Sequence, residues 1–390
     1  MIKDPAFTVG IEEEYLLVDR KTRDLAITPP PSMMMECEAL LSGQVSPEFL
    51  QAQIEVGTRV CGTIAEAKDD LRHLRATVVE VAARHGLAPI AAATHPFAKW
   101  SDQRHTDKDH YNMLAHDLQA LASRLLICGL HVHVGIEDED LRIDLMNQVS
   151  YFLPHLLALS ASSPFWEGEN TGLMSYRLCI FDGLPRTGLP DQFESHAEYQ
   201  RLVAAMVHAG LIEDATKLWW DVRPSARFPT LELRITDVCT RIGDSVTIAA
   251  MFTCMLSMLT RLRKSNQRWR VYPRSLVNEN RWLAQRHGPA RGLVDFGTGA
   301  LTPYGELLEE LLELMVEDAE RLGCVAEMDH AREIVRRGTS AERQIRVYDD
   351  ALKGGAAQAE ALRAVVDMLI EETAAGLDVP ALSGVERQPK

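Results

Sequence analysis

The sequence predicts an α+β fold organised around a mainly antiparallel sheet. Three observations point there. Residues 7–18, 50–58, 130–135 and 231–237 alternate between apolar and polar or charged side chains, which is the period of a strand with one face buried. The strands and helices do not follow the strict βαβ cadence of a doubly wound fold. The last ninety residues read as almost wholly helical, with breaks near Gly323, Gly338 and Gly354–Gly355.

Taken in order, residues 7–18 form the first strand and lead to a proline-rich turn at 29–31. Residues 50–58 are the second extended piece. Thr63 and Glu66 have the spacing of a capping box, so 64–85 follows as an amphipathic helix ending at Gly86. Residues 88–93 read as a strand, 110–126 as a helix stopped at Gly129, and 131–135 as a strand. A long helix covers 138–159. Residues 163–190, rich in Gly, Ser, Thr and Arg, read as loop with one short strand at 174–180. A helix at 195–209, the strand at 231–237 and a helix at 245–263 complete the body.

With 390 residues the chain suits two or three domains or one large fold. Its net charge of −15, from 41 basic and 56 acidic residues, argues against non-specific nucleic-acid binding, which needs a basic footprint. The acids of 306–320 sit between apolar residues at helical spacing and read as a solvated helix face. No apolar run reaches the roughly 18–20 residues of a membrane span; the longest, 149–164, is broken by Pro154 and His155. No secretory signal is expected at the N-terminus. Seven scattered cysteines without a C-x-x-C pair indicate neither a disulfide framework nor a zinc ribbon, and a reducing cytoplasm fits them. No G-x-G-x-x-G or P-loop motif appears.

The polar faces of the four strands carry the candidate chemistry. Glu12 and Glu14 point together, beside Gly10, which leaves room next to them. They stand roughly 6–7 Å apart along one strand, and their oxygens suit a hard cation such as Mg²⁺. Read alone, they also fit an edge strand with solvated acids. Glu13 intrudes on the apolar face and is expected to pair with an arginine. Glu55 shares a face with Gln51 and Gln53 and is a further oxygen ligand, or a half-exposed acid. His131 and His133 lie on one face; they suit hydrogen bonding to phosphate or metal-bound water better than a zinc site, which no third ligand completes. Glu232 and Arg234 share a face, as a structural ion pair or as a metal ligand beside a guanidinium fork. Arg177 and Arg186 belong to a polar loop region fit to close over phosphates. Trp166, Trp219 and Trp220 suit an amine pocket or core packing.

Six pieces together resemble glutamate–cysteine ligase family 2, in its bacterial carboxylate–amine ligase branch. They are Gly10-Ile-Glu-Glu-Glu-Tyr-Leu-Leu-Val-Asp19, Gln53-Ile-Glu-Val-Gly-Thr58, His131-Val-His-Val-Gly135, Ser160-Ala-Ser-Ser-Pro-Phe-Trp166, Arg227-Phe-Pro-Thr-Leu-Glu-Leu-Arg234 with Asp237, and Glu279-Asn-Arg-Trp282 with Arg286. The resemblance implies a glutamine-synthetase-like catalytic fold, a curved sheet forming a funnel with helices behind it. It implies a catalytic unit at 1–300 with a helical region at 301–390 packed on it. It further implies ATP-dependent joining of a carboxylate to an amine through an acyl phosphate, most simply of glutamate to cysteine. Glu12, Glu14, Glu55 and Glu232 would hold Mg²⁺, with Glu48 a further candidate. Arg234, His131 and Arg177 would be catalytic, and His133, Arg186, Arg227 and Arg286 would face the nucleotide. Amino-acid substrates and a homodimer are implied, without nucleic acid or membrane. A metal-dependent amidase using the same acids, a non-catalytic binding protein and a phosphagen-kinase-like phosphoryl transfer are the competing readings; ATP dependence and the product separate them.

Overall fold

The structure, a computed structural model, describes residues 4–379, except for the side chains of residues 110, 114, 115, 117 and 123. Seven strands form the main sheet: β1 (Val9–Asp19), β2 (Val45–Pro47), β3 (Gln53–Gly57), β4 (Leu87–Ile90), β5 (Leu130–Gly135), β6 (Val222–Pro224) and β7 (Thr230–Leu233). Their order is β6-β7-β5-β1-β3-β2, with β4 pairing the far half of β1. Every pairing is antiparallel. The strand bearing Glu12 and Glu14 is therefore central, which removes the edge-strand reading.

Alternation puts Ile11, Glu13 and Tyr15 on the back of β1, all without exposure to solvent. Glu13 meets the arginine the pattern requires: Arg75, on the helix Ile64–Arg84, places Nη2 at 2.5 Å from Oε1 and Nε at 3.1 Å from Oε2. Tyr15 and Ser245 add hydroxyl donors to the same carboxylate. Arg75 also donates to the carbonyls of Thr240 (2.7 Å) and Cys239 (3.1 Å). The helix starts at the expected cap, where Thr63 Oγ1 accepts from the Glu66 amide, but the Glu66 carboxylate accepts from the Gly62 amide instead of closing the box on that of Thr63.

Behind the sheet runs Ile242–Lys264, buried from Val246 to Thr260 with no residue more than 1% exposed. By length and composition this helix would cross a membrane, but nearly all of it lies inside the protein. It, not 149–164, is the longest apolar element. Helices Tyr304–Leu322, Val325–Arg337, Ser340–Lys353 and Gln358–Thr373 follow with breaks where glycines were expected. The first two attach to the central helix through Asp318 with Ser257 and Arg261, and through Asp244 with His330 and Arg337, and the last two are joined to each other by Arg343 and Glu372.

Several sequence expectations need correction. The strand expected at 174–180 is loop followed by a short helix, Arg177–Phe181, because the Arg177 amide donates to Ser163 Oγ (3.1 Å) rather than to a neighbouring strand. The helix at 110–126 splits into Asp109–Leu118 and Ala120–Ser123 at Gln119, whose φ is +48°. The helix at 138–159 breaks into Glu139–Val149 and Leu153–Ser160 around a 3₁₀ turn, since Pro154 removes a donor and restricts the residue before it. The strand expected at 231–237 stops at Leu233, where the amides of Arg234 (2.8 Å) and Ile235 (3.0 Å) both donate to the Asp221 carbonyl, a two-against-one bulge. Leu50 makes an isolated bridge to His105, residues 51–52 are a turn, and the strand starts at Gln53.

Glu13→Gln leaves the Arg75 charge buried without its partner, and urea unfolding is expected to show a loss of about 3–5 kcal/mol. The double variant Glu13→Gln, Arg75→Met should lose markedly less, since no orphaned charge stays inside.

Candidate active site

The strand registers bring the predicted polar residues into one wall. Glu12 stands opposite His131, Gly10 opposite His133, and Glu14 opposite Glu55. Glu232 stands opposite His133 on one side and Arg223 on the other. Residues from five adjacent strands thus share one face, those of β1, β3, β5 and β7 as alternation assigned them and Arg223 of β6 in addition.

Charge divides this wall into two parts. Glu12 accepts from His131 Nδ1 and His133 Nε2, each at 3.4 Å. Burial would raise its pKa, but the two imidazoles hold it well below the usual carboxylate range. Burial likewise works against ionised Glu232, yet the Arg234 and Arg223 guanidiniums hold its pKa far down; Arg223 grips it with Nε at 2.8 Å and Nη2 at 3.1 Å. The second part is the reverse. Burial lifts the pKa of Glu14, Glu48 and Glu55, with neighbouring negative charge adding to the rise in each. Glu55 shows the largest rise, with Glu48 its main repulsive neighbour after burial.

Two arginines face this second group. Arg177, 2% exposed, lies over the Phe181 ring and donates to the carbonyls of Arg234 (3.3 Å) and Ile235 (3.4 Å). Arg234 donates to Glu232. Gly129 lets them approach: its amide donates to Glu14 Oε2 at 2.6 Å, and a Cβ there would sit 2.6 Å from Arg177 Nη2 and 3.1 Å from His131 Nε2. Burial holds His131 down at about 4, so the ring is neutral at neutral pH. Its Nδ1–H serves Glu12, which leaves Nε2 as a lone pair. His131 Nε2, Arg177 Nε and Arg234 Nε are buried with no hydrogen-bond partner. All three residues line one cavity of about 170 Å³, together with Glu14, Glu48 and Gln53.

The loops are fixed from behind. Asp237 accepts from the Ser162 amide (2.9 Å), Ser163 Oγ (2.7 Å) and Ser175 Oγ (2.8 Å), so it clasps both ends of the loop that precedes Arg177. Arg281 joins Asp221, whose carbonyl holds the bulge at Arg234, to Asp182, the cap of the Arg177–Phe181 helix.

The remaining predicted residues lie elsewhere. Arg186 stacks on Trp219 at 5.4 Å and donates to the Lys217 carbonyl; Trp219 lines the cavity. Trp220 is core, against Phe193 and Tyr199, and Trp166 lies against Tyr176. Arg227 is exposed in the β6–β7 hairpin, where its neighbour Phe228 meets the His133 ring edge-on at 6.2 Å. Arg286 donates to the Gly172 carbonyl. Sequence reasoning missed Arg223 and Gly129 as parts of the site. Arg223 has the strand alternation that could have flagged it; Gly129 read only as a helix stop. Among the described residues no three His, Cys, Asp or Glu side chains already close up as a metal cage, because Glu12 and Glu232 are engaged by the histidines and arginines.

Residues 8–368 match the family described as glutamate-cysteine ligase family 2. A Rhodospirillum rubrum protein described as "Putative glutamate--cysteine ligase 2" is 61% identical over 384 residues, 97% of this chain and 99% of its own. A Jannaschia protein of the same description is 57% identical, over 95% and 97% of the two chains. Among solved structures, the glutamate–cysteine ligase of Francisella tularensis in complex with AMP matches with a TM-score of 0.69 at 13% identity, over 97% of this chain and 91% of that one. The bifunctional glutathione synthetase of Pasteurella multocida gives 0.68 at 15%, over 94% of this chain; the chain spans about half of that protein, 53%. At these identities the two structures speak for the fold. The chain belongs to glutamate–cysteine ligase family 2, the family its motifs resemble, and its fold is that of these ligases.

Gly129→Ala should keep the fold and move Arg177 and His131 apart from Glu14, which a structure of the variant would show directly. The raised carboxyls also set a pH dependence. Glu14, Glu48 and Glu55 hold protons in the folded chain that the unfolded chain releases near 4.5. Stability measured without divalent cations is therefore expected to fall as pH rises above that value. Glu55→Gln should flatten the fall.

Proposed function

We propose that this family member is an ATP-dependent carboxylate–amine ligase of the glutamate–cysteine type. The observation that carries the reading is the half-buried pair Glu14 and Glu48 sharing one cavity with the unpartnered nitrogens of Arg177, Arg234 and His131. A cavity of that kind lacks a cation to relieve the acids and an anion to occupy the donors. Mg-ATP and a carboxylate substrate supply both. The reaction joins them: the carboxylate attacks the γ-phosphorus, ADP leaves, and an amine displaces phosphate from the acyl phosphate to give an amide. No nucleophile of the protein is needed.

The donor set fits Mg²⁺. Glu14, Glu48 and Glu55 are hard oxygen donors raised by burial and mutual repulsion, and the unpartnered lone pair of His131 Nε2 lies beside them. Glu12, Glu14, Glu55 and Glu232 would hold the metal, with Glu48 joining them; Mg²⁺ there supplies charge neutralisation at phosphate oxygens. Arg234 and Arg177 would stabilise the negative charge that builds on the transferring phosphoryl group and the acyl oxygen. His133, whose Nε2 lies 3.4 Å from Glu12, would offer a hydrogen bond near the phosphates. Arg186, Arg227 and Arg286 act from surrounding loops. In this reading residues 1–300 form the catalytic unit and 301–390 its helical support, in a cytoplasmic homodimer; of these, 1–3 and 380–390 lie outside the described residues.

Glu14→Gln and Glu232→Gln should each keep the fold and lower ADP release with Mg-ATP by about a hundredfold or more. The assay is ADP or phosphate release across a matrix of amino acids, with mass spectrometry of the amide. Unchanged turnover of both variants at saturating Mg²⁺ would remove these residues from the metal site.

A further inference from the structure

Arg177 and Arg234 carry like charges on one cavity. Burial lowers the Arg177 pKa, and the positive charge of Arg234 lowers it further. Two guanidiniums that repel each other move apart unless something outside the cavity holds them. A closed ring of bonds does so here. The Asp221 carbonyl accepts from the amides of Arg234 and Ile235, and the carbonyls of those two residues accept from the Arg177 guanidinium. Arg177 opens a short helix whose C-cap is Asp182. Arg281 closes the ring. Its Nη1 and Nη2 donate to the Asp182 carboxylate at 2.7 and 2.8 Å, and its Nε and Nη2 to the Asp221 carboxylate at 2.7 and 3.2 Å. Arg281 is 7% exposed and Asp221 1%, where charge-assisted bonds are stronger than in water. One turn further along the same helix, the Gln285 carbonyl accepts from the amides of Met174 and Ser175, and the Gln285 amide nitrogen donates to Cys179 Sγ.

We infer that Arg281 is a positioning residue of the reaction: it ties the Arg177 helix to the Arg234 bulge and so sets the gap between the two guanidiniums. Arg281 itself lies outside the cavity lining. The inference rests on the ligase reading, which gives Arg177 and Arg234 the negative charge that builds on the transferring phosphoryl group and the acyl oxygen. Held at a fixed separation, they need no rearrangement when that charge appears. A loosened ring therefore weakens an interaction made in the transition state and leaves the binding of Mg-ATP nearly intact, so kcat falls and KM does not rise. A planar fork grips two carboxylates at once, which the single ammonium of a lysine does not match.

Asp182→Ala opens the ring at its outer link. The Asp182 side chain is 35% exposed, and its loss leaves the buried Arg281–Asp221 pair in place. In this variant kcat for ADP release should fall about tenfold or more, with KM for Mg-ATP within about twofold of the unaltered protein and the urea midpoint unmoved. Arg281→Ala should show the same split, and guanidinium chloride at millimolar concentration should restore part of its kcat. Arg281→Lys should remain slow. If Arg281→Ala does not fold, Asp182→Ala decides alone. An unchanged kcat in Asp182→Ala overturns the inference while the ligase reading stands. So does a kcat lost there only in step with a rising KM or a falling urea midpoint, the mark of a merely structural role. No ADP release by the unaltered protein with any amino acid overturns the ligase reading, and this inference with it.

Discussion

The buried pair of Glu13 and Arg75 fixes the orientation on which the site depends. In a strand, neighbouring side chains take opposite faces. Holding Glu13 behind the sheet therefore holds Glu12 and Glu14 in front of it. A slip of one residue would bury two acids against the central helix and turn Glu13 outward. Such a pair is not a strong source of stability, because removing two charges from water offsets most of their attraction. Its role here is register. Arg75 extends that role beyond β1, since its remaining nitrogens hold the carbonyls of Cys239 and Thr240. Those residues lie just beyond Val238, the neighbour of Asp237, whose carboxylate clasps the loop before Arg177. One guanidinium behind the sheet thus sets both the acids and the loop in front.

The front face shows how a fold tolerates concentrated negative charge. Glu12 and Glu232 are kept ionised by partners already in place, two imidazoles and two guanidiniums. Glu14, Glu48 and Glu55 have too little compensation, and their affinity for protons rises accordingly. A proton is the smallest cation such a group can accept, and a divalent metal is the larger alternative. The same physics runs in reverse at Arg177, where burial lowers the pKa of a guanidinium whose bonds go to carbonyls. Acids lacking cations and an arginine lacking an anion, set on one cavity, describe a site completed by its ligands.

Much of this was legible in the sequence because one period explains it. Alternation located β5 with its bounds, placed Glu12, Glu14, His131, His133, Glu55 and Glu232 on a common face, and required an arginine for Glu13. It did not say which arginine, since Arg75 lies 62 residues away on a helix. It also failed wherever a side chain interrupts the backbone pattern. Ser163 turns 174–180 from strand to helix start, and the Asp221 carbonyl bends the chain after Leu233. Arg223 escaped notice because β6 is three residues long, so its alternation is visible only beside the longer β7 it pairs with. Loop arginines were the least legible: spacing says nothing of where Arg186, Arg227 and Arg286 reach.

Gly129 shows why such a position carries no sequence signal. Nothing about its backbone demands glycine through a left-handed φ. The demand is spatial and comes from residues far along the chain. Its amide must reach Glu14 at 2.6 Å while its missing Cβ gives Arg177 Nη2 the same space. A carboxylate and a guanidinium are thereby brought to opposite sides of one Cα without neutralising each other in a direct ion pair. The direct pair would satisfy both groups and close the site. Separated by the thickness of a backbone, each keeps capacity for a ligand, so the smallest residue maintains the charge separation that the proposed chemistry needs.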